Sequence, residues 1–155
     1  MQDASKHYIN GQWVASVDGR EMAVENPSTE EKIATITLGG VADADAAVAA
    51  AKNAFPAWAA TDPSERIAAL ERLMEVYKGR AEEMAQAISV EMGAPIALAR
   101  TAQVGAGAGH LKNTIRAAKA FAFELPLGEH EPSDMILYEP VGVCALITPW
   151  NCPMN

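Results

Sequence analysis

A chain of 155 residues has the length of one domain and can bury a core of its own. Its apolar fraction is 50%, much of it alanine, which buries little area per residue and favours closely packed helices over a thick aliphatic core. With 12 basic and 20 acidic side chains the net charge is −8, so a nucleic-acid phosphate backbone is not an expected partner.

Nothing near Met1 has the charged-then-apolar layout of a signal peptide, and no apolar run approaches membrane-spanning length. The expectation is a soluble, cytoplasmic protein with no membrane partner. Tyr8 to Val14 alternates around Asn10-Gly11, a dipeptide suited to the positive φ angles of a tight type I′ turn, and predicts a small hairpin. A second extended stretch, Met22 to Glu25, ends at Asn26-Pro27-Ser28-Thr29, where Asn-Pro favours a turn. Ile33 to Leu38 then alternates again, and these strands are expected to form one peripheral antiparallel sheet. Gly39-Gly40 breaks the chain.

From Asp43 the period becomes helical. Ala44, Val48, Ala51, Phe55 and Trp58 share one face, Asp43 and Asp45 lie near the positive end of the helix dipole, and Pro56 is expected to end or kink the helix. The next helix has the clearest start: Asp62 as cap, Pro63 in the first helical position and Glu65 three residues after the cap. Ile67, Leu70, Met74, Tyr77, Ala81, Met84 and Ile88 continue one stripe to Gly93 and Pro95, which stop it. A third helical pattern carries Val104, Ala108, Leu111, Ile115, Ala118 and Ala122 on one side. Gly105, Gly107 and Gly109 interrupt it, each costing up to about 1 kcal/mol against alanine, and close approach of a neighbouring helix is the expected compensation. GAGAG follows no strand and lacks the G-x-G-x-x-G order of a nucleotide loop.

Leu125 to Asp134 is a connection rich in Pro, Gly and acid, and Met135 to Tyr138 has the look of a strand. Val141 to Thr148 is a continuous apolar run between Pro140-bounded entry and the Pro149, Trp150, Asn151, Pro153 turn, which predicts a strand buried on both faces, as in a parallel sheet covered by helices. Such a strand needs neighbours from earlier strands or another polypeptide. Cys144 falls inside that run, where a thiol acts as a small hydrophobe. Cys152 sits in the turn with no histidine, metal motif or helix start beside it in sequence, so it reads as packing and not as a nucleophile. His7, His110 and His130 are scattered without ligand spacing and read as solvated or locally hydrogen-bonded.

The run GVCALITPWNCPMN closely resembles the segment of aldehyde dehydrogenases in which the first strand of the nucleotide-binding sheet ends in a Pro-Trp-Asn turn at the active site. YINGQWV, ENPSTEEKIA, AFPAWAATDPSER and EMGAPI support it upstream, in that family's order and rough spacing. The resemblance covers almost the whole chain, which in turn covers the first part of a family member. It implies an α/β fold: the helix-rich amino-terminal part of an aldehyde dehydrogenase-like fold, with a small antiparallel sheet, long helices and a terminal strand of a parallel Rossmann-like sheet. Residues 1–134 would be the amino-terminal part of the cofactor-binding domain, 135–140 a projecting strand through which subunits associate, and 141–155 the first strand and active-site turn of the nucleotide-binding sheet.

The family's reaction joins an aldehyde to a cysteine as a thiohemiacetal, passes hydride to NAD or NADP, and hydrolyses the thioester with a glutamate-activated water. By resemblance the Asn151 amide would donate to the oxyanion, although asparagine alone reads as a turn residue. The backbone of Ile147, Thr148, Pro149 and Trp150 would line the cofactor cleft, beyond the carboxyl end of a parallel strand. The backbone near Val24 and the Glu91 carboxylate match a monovalent-cation site in some members, while Glu91 alone reads as a charge at a helix end. Asp62, Glu65 and Arg66 resemble a family signature, but capping and a surface ion pair explain them fully. The family's nucleophile, general base and glycine-containing cofactor turn have no counterpart in these residues, so the chain alone is expected to be inactive. The alternative is a non-catalytic module that associates with itself or with a partner. The expected partners are an aldehyde, in the whole enzyme, and a second copy or a complementary carboxyl-terminal segment.

Overall fold

The computed structural model describes residues 5–131 and 133–154. Among them are six short strands, β1 (Lys6–Ile9), β2 (Gln12–Ala15), β3 (Arg20–Asn26), β4 (Glu31–Leu38), β5 (Glu124–Pro126) and β6 (Met135–Leu137). The helices are α1 (Val41–Ala59), α2 (Pro63–Gly79), α3 (Ala81–Met92), the single turn α4 (Ile96–Leu98) and α5 (Val104–Ala120), with a π-helical turn at Ala99–Gln103 leading into α5. The α/β class expected from the sequence holds.

The strands pair as three separate antiparallel hairpins, β1–β2, β3–β4 and β5–β6, and not as one peripheral sheet. Asn10 and Gly11 turn the first with φ of 52° and 77°, and Tyr8 faces Trp13 across it with ring centroids 5.2 Å apart. At the second, Ser28 N donates to the Asn26 side chain at 2.8 Å, an Asx turn that reverses the chain before β4. The third pairs β6 with residues expected in an irregular connection; Pro126 is tolerated because it sits at a strand end.

Two helical expectations change. Pro56 does not end α1, which runs three residues further to Ala59. The long stripe divides at Arg80, which has left the helical region at φ −112° and ψ 12°, so Ile67 to Tyr77 belong to α2 and Ala81 to Ile88 to α3. Asp62 does cap α2, its carboxylate accepting from Ser64 N at 2.7 Å, and Gly93 ends α3 in the left-handed conformation at φ 77°.

The buried core is small and built of small residues: Ala85, Ile88, Ala94, Ala99 and Val104, with Tyr77, Ala81, Met84, Met92, Ile96 and Met154 packed around it. It lies where α3, the π-helical turn and the start of α5 meet. The apolar face of α1 is left open instead, with Val48 45% and Trp58 54% exposed. After β6 the run Val141 to Thr148 forms no strand and is not buried: Val141 and Ile147 are each 94% exposed, and Cys144 is exposed too. Strand geometry needs hydrogen-bonded neighbours, and none of the six strands lies beside this run.

Candidate functional site

The turn after the apolar run comes back to the body of the molecule. Trp150, though 58% exposed, joins Met22, Val24, Ile36 and Glu91 around a cavity of about 330 Å³. A larger adjoining cavity of about 630 Å³ shares Val24, Ile36 and Glu91 and extends to Arg80 and Glu83. Three residues singled out from the sequence for two different roles, Val24, Glu91 and Trp150, therefore meet at one place.

Each arrives for a local reason. Val24 lies in β3 where the β3–β4 register slips, Val24 facing Ala34 and Glu25 facing Lys32, so that Ile33 is the extra residue of a bulge. Glu91 is in the last turn of α3, just before Gly93. Gly93 also lets the β3–β4 turn approach, since a Cβ there would stand 2.7 Å from Pro27 Cγ. With Glu91 as the single carboxylate in an otherwise apolar lining, the smaller cavity suits at most one positive charge. Among the described residues no three of His, Cys, Asp and Glu gather as a metal cluster would require.

Ile147, Thr148, Pro149 and Asn151 are exposed and line neither cavity. They make an open strip of backbone. Beyond Asn151 the chain is better seated: Cys152, Pro153 and Met154 are half-buried, and Met154 packs on the core cluster. Cys144 Sγ lies 3.8 Å from Gly142 O, on the exposed run.

Asp43 does more than sit at the helix dipole. Its carboxylate accepts from Gly40 N at 2.9 Å, closing the first turn of α1, and also from Ser16 Oγ and from Val17 N at 3.1 Å, tying the end of the first hairpin to that helix. The Ser16 hydroxyl first, then the Gly40 and Val17 amides, hold Asp43 below the usual carboxylate range, with His7 adding a smaller electrostatic pull. The sequence placed Asp43 only near the positive end of the helix dipole; the Ser16 and Val17 partners, far away in sequence, carried no local signal. His7 departs from its expectation, for its Nε2 is buried and finds no hydrogen-bond partner among the described residues.

Tyr77 belongs to the apolar stripe by its spacing, but its hydroxyl crosses to α5 and donates to Val104 O at 2.7 Å, while burial holds the phenol above its usual pKa. Glu82 receives Arg100 twice, Nη2 at 2.6 Å and Nε at 2.9 Å, and these bonds, with one from Gln86, bring its pKa down to about 2. The Arg66 guanidinium donates to Thr61 O, lies 5.7 Å over the Phe123 ring and adds a small electrostatic pull on Asp62.

The sequence model of the aldehyde dehydrogenase family matches residues 13–155. A 3-succinoylsemialdehyde-pyridine dehydrogenase from Pseudomonas sp is 40% identical over 156 residues, covering 100% of this chain and 32% of its own length. A putative aldehyde dehydrogenase from Staphylococcus saprophyticus is 39% identical, with the same coverage of 100% and 32%. Among solved structures, aldehyde dehydrogenase C from Pseudomonas syringae, in complex with NAD+ and octanal, superposes with a TM-score of 0.91 at 44% identity over 97% of this chain and 30% of that one. An aldehyde dehydrogenase from Bartonella henselae gives 0.80 at 45% identity over 83% and 27%. This chain therefore spans about a third of the length of these relatives, matching their amino-terminal part. A family match over nearly every residue, joined to the fold and to the turn at Trp150 and Asn151, makes the chain a member of the aldehyde dehydrogenase family.

Proposed function

We propose that this chain supplies the oxyanion-stabilising turn and one wall of the cofactor cleft to an NAD(P)-dependent aldehyde dehydrogenase, whose nucleophile and general base come from residues outside it. The observation that carries the reading is the return of the Trp150–Met154 turn to the body of the molecule, Trp150 entering one cavity and Met154 the core, which brackets the Asn151 amide between two seated residues. A neutral amide fixed before charge develops costs no reorganisation when an aldehyde carbonyl becomes an alkoxide, and that is what such a donor contributes. Ile147 to Trp150 contribute the cleft's wall by their backbone, with NAD or NADP the group to be oriented; the Pseudomonas syringae relative is solved with NAD+. Glu91 and the backbone at Val24 are assigned to a monovalent cation that steadies α3 against β3. Residues 1–134 then belong to the cofactor-binding domain, 135–140 to subunit association and 141–155 to the sheet's first strand.

On this reading the chain alone oxidises no aldehyde, because Asn151 has no alkoxide to stabilise until a thiolate makes one. The experiment mixes the purified chain with the complementary carboxyl-terminal segment of a relative, an aldehyde and NAD. Aldehyde-dependent NADH should appear only on mixing, and Asn151→Ala should lower its kcat by about 10²–10³-fold with little change in KM. NADH formation by the chain alone, or an unimpaired Asn151→Ala, would overturn the proposal.

A second reading, a self-associating module without catalysis, draws on the exposed apolar side chains of the third hairpin, Met135 at 56%, Leu137 at 57% and Tyr138 at 53%. Native mass spectrometry separates the two: a homo-oligomer that ignores the complementary segment would favour the module.

A further inference from the structure

The three glycines of α5 are not equivalent. A Cβ added at Gly105 or Gly109 would meet nothing within 4 Å. At Gly107, which is buried, it would lie 2.6 Å from Met154 O and 3.1 Å from Met154 Cβ, and would collide with the Tyr77 hydroxyl. That hydroxyl is held in place by its bond to Val104 O, 2.7 Å away on the first residue of α5. Gly107 and Tyr77 together therefore shape the seat that receives Met154, three residues beyond Asn151. Between β6 and this turn the chain is largely unsupported, with Leu146 87% and Ile147 94% exposed. The placement of Asn151 thus depends on the two seated residues that flank it, Trp150 and Met154.

We propose that Gly107 is a positioning residue for Asn151, acting through Met154: the missing side chain of Gly107 leaves the space in which the Met154 backbone closes the active-site turn. This rests on the oxyanion role given to Asn151 above. The competing account is that Gly107 serves only to let α2 approach α5 at Tyr77. Removing the Tyr77 hydroxyl separates the two. Tyr77→Phe relieves the clash between the helices in a Gly107→Ala chain, but leaves the clash with Met154 untouched.

Cys152 and Cys144 provide a reporter on the same chain, Cys152 half-buried inside the turn and Cys144 exposed outside it. The ratio of their rates of alkylation by iodoacetamide, read peptide by peptide by mass spectrometry, measures how well the turn is seated, independently of overall unfolding. Gly107→Ala should raise the Cys152-to-Cys144 ratio severalfold, because local opening exposes the inner thiol first. Gly105→Ala should leave the ratio at its wild-type value. The rise should persist in the Gly107→Ala, Tyr77→Phe double variant. A ratio for Gly107→Ala equal to that of Gly105→Ala, or full restoration by Tyr77→Phe, would overturn the proposal and leave Gly107 a helix-packing residue.

In the mixture with the complementary segment, Gly107→Ala should lower kcat several-fold while KM for the aldehyde stays within about twofold, the pattern of a lost transition-state contact. An altered labelling ratio with unchanged kcat would overturn the positioning role. If Asn151→Ala were then equally harmless, the fault would lie with the role given to Asn151 and not with the seat of Met154.

Discussion

Glu82 illustrates what one side chain contributes when its partner comes from another element. Arg100 lies 18 residues away and binds both carboxylate oxygens across the gap between α3 and the π-helical turn. The pair is half exposed, and exposed ion pairs contribute little in neutral solution at moderate salt. Its signature is in acid. The folded-state pKa of about 2 is below the ordinary carboxylate value of 4.5, so the folded state resists protonating Glu82 and the unfolded state does not. The stabilisation is complete above about pH 4.5 and is lost as pH falls from there towards 2. Urea titrations between pH 5 and pH 2 should therefore show Arg100→Ala removing part of the acid-induced loss of stability, and more so at low salt than at high. An unchanged pH slope would mean that the pair does not persist in solution. Tyr77→Phe probes a partly buried bond instead and should cost about 0.5–1.5 kcal/mol in urea unfolding at neutral pH.

Glycine positions set the limits of the elements. Gly93 is held at φ 77°, where a side chain costs roughly 1–2 kcal/mol, and a Cβ would also press on Pro27 of the second hairpin. Gly93→Ala should lose at least that much, whereas Gly79→Ala, at the end of α2 with nothing within 4 Å, should be neutral or gain a few tenths of a kcal/mol. Comparing the two urea midpoints separates strain at the cap from helix propensity. Such local rules made much of the fold legible: the Asn10-Gly11 hairpin, the Asp62-Pro63 start and the Gly93 stop were each written within a few residues. What stayed hidden depended on distance. The break at Arg80 occurs inside an uninterrupted apolar stripe because α2 turns its Tyr77 towards α5 while α3 turns Ile88 into the core, and neither partner is nearby in sequence. Likewise β5 reads as a turn-rich connection until β6 is set opposite it.

At the scale of the whole molecule, the segment that most resembled a strand is the one that forms none. Val141 to Thr148 has the composition of a doubly buried strand yet lies open to solvent, Val141 and Ile147 each at 94% and Leu146 at 87%. A run of that composition becomes a buried strand only beside hydrogen-bonded neighbours, and none of the six described strands pairs with it. The convergence at the candidate site was not legible: the sequence put Trp150 at a cofactor cleft and Val24 and Glu91 at a cation, and only the packing of α3 beside β3 brings the three around one cavity, while Ile147 to Pro149 face solvent. Amide hydrogen exchange tests whether the strand is latent in the segment. In the isolated chain, residues 141–148 should exchange near the unprotected rate, and the same amides should become protected when the complementary segment is added, together with the appearance of NADH formation. Protection of these residues in the isolated chain would mean that it pairs them with itself or with another copy, the behaviour expected of a self-associating module. Lasting exposure alongside restored activity would mean that the wall formed by Ile147 to Trp150 is not needed for catalysis.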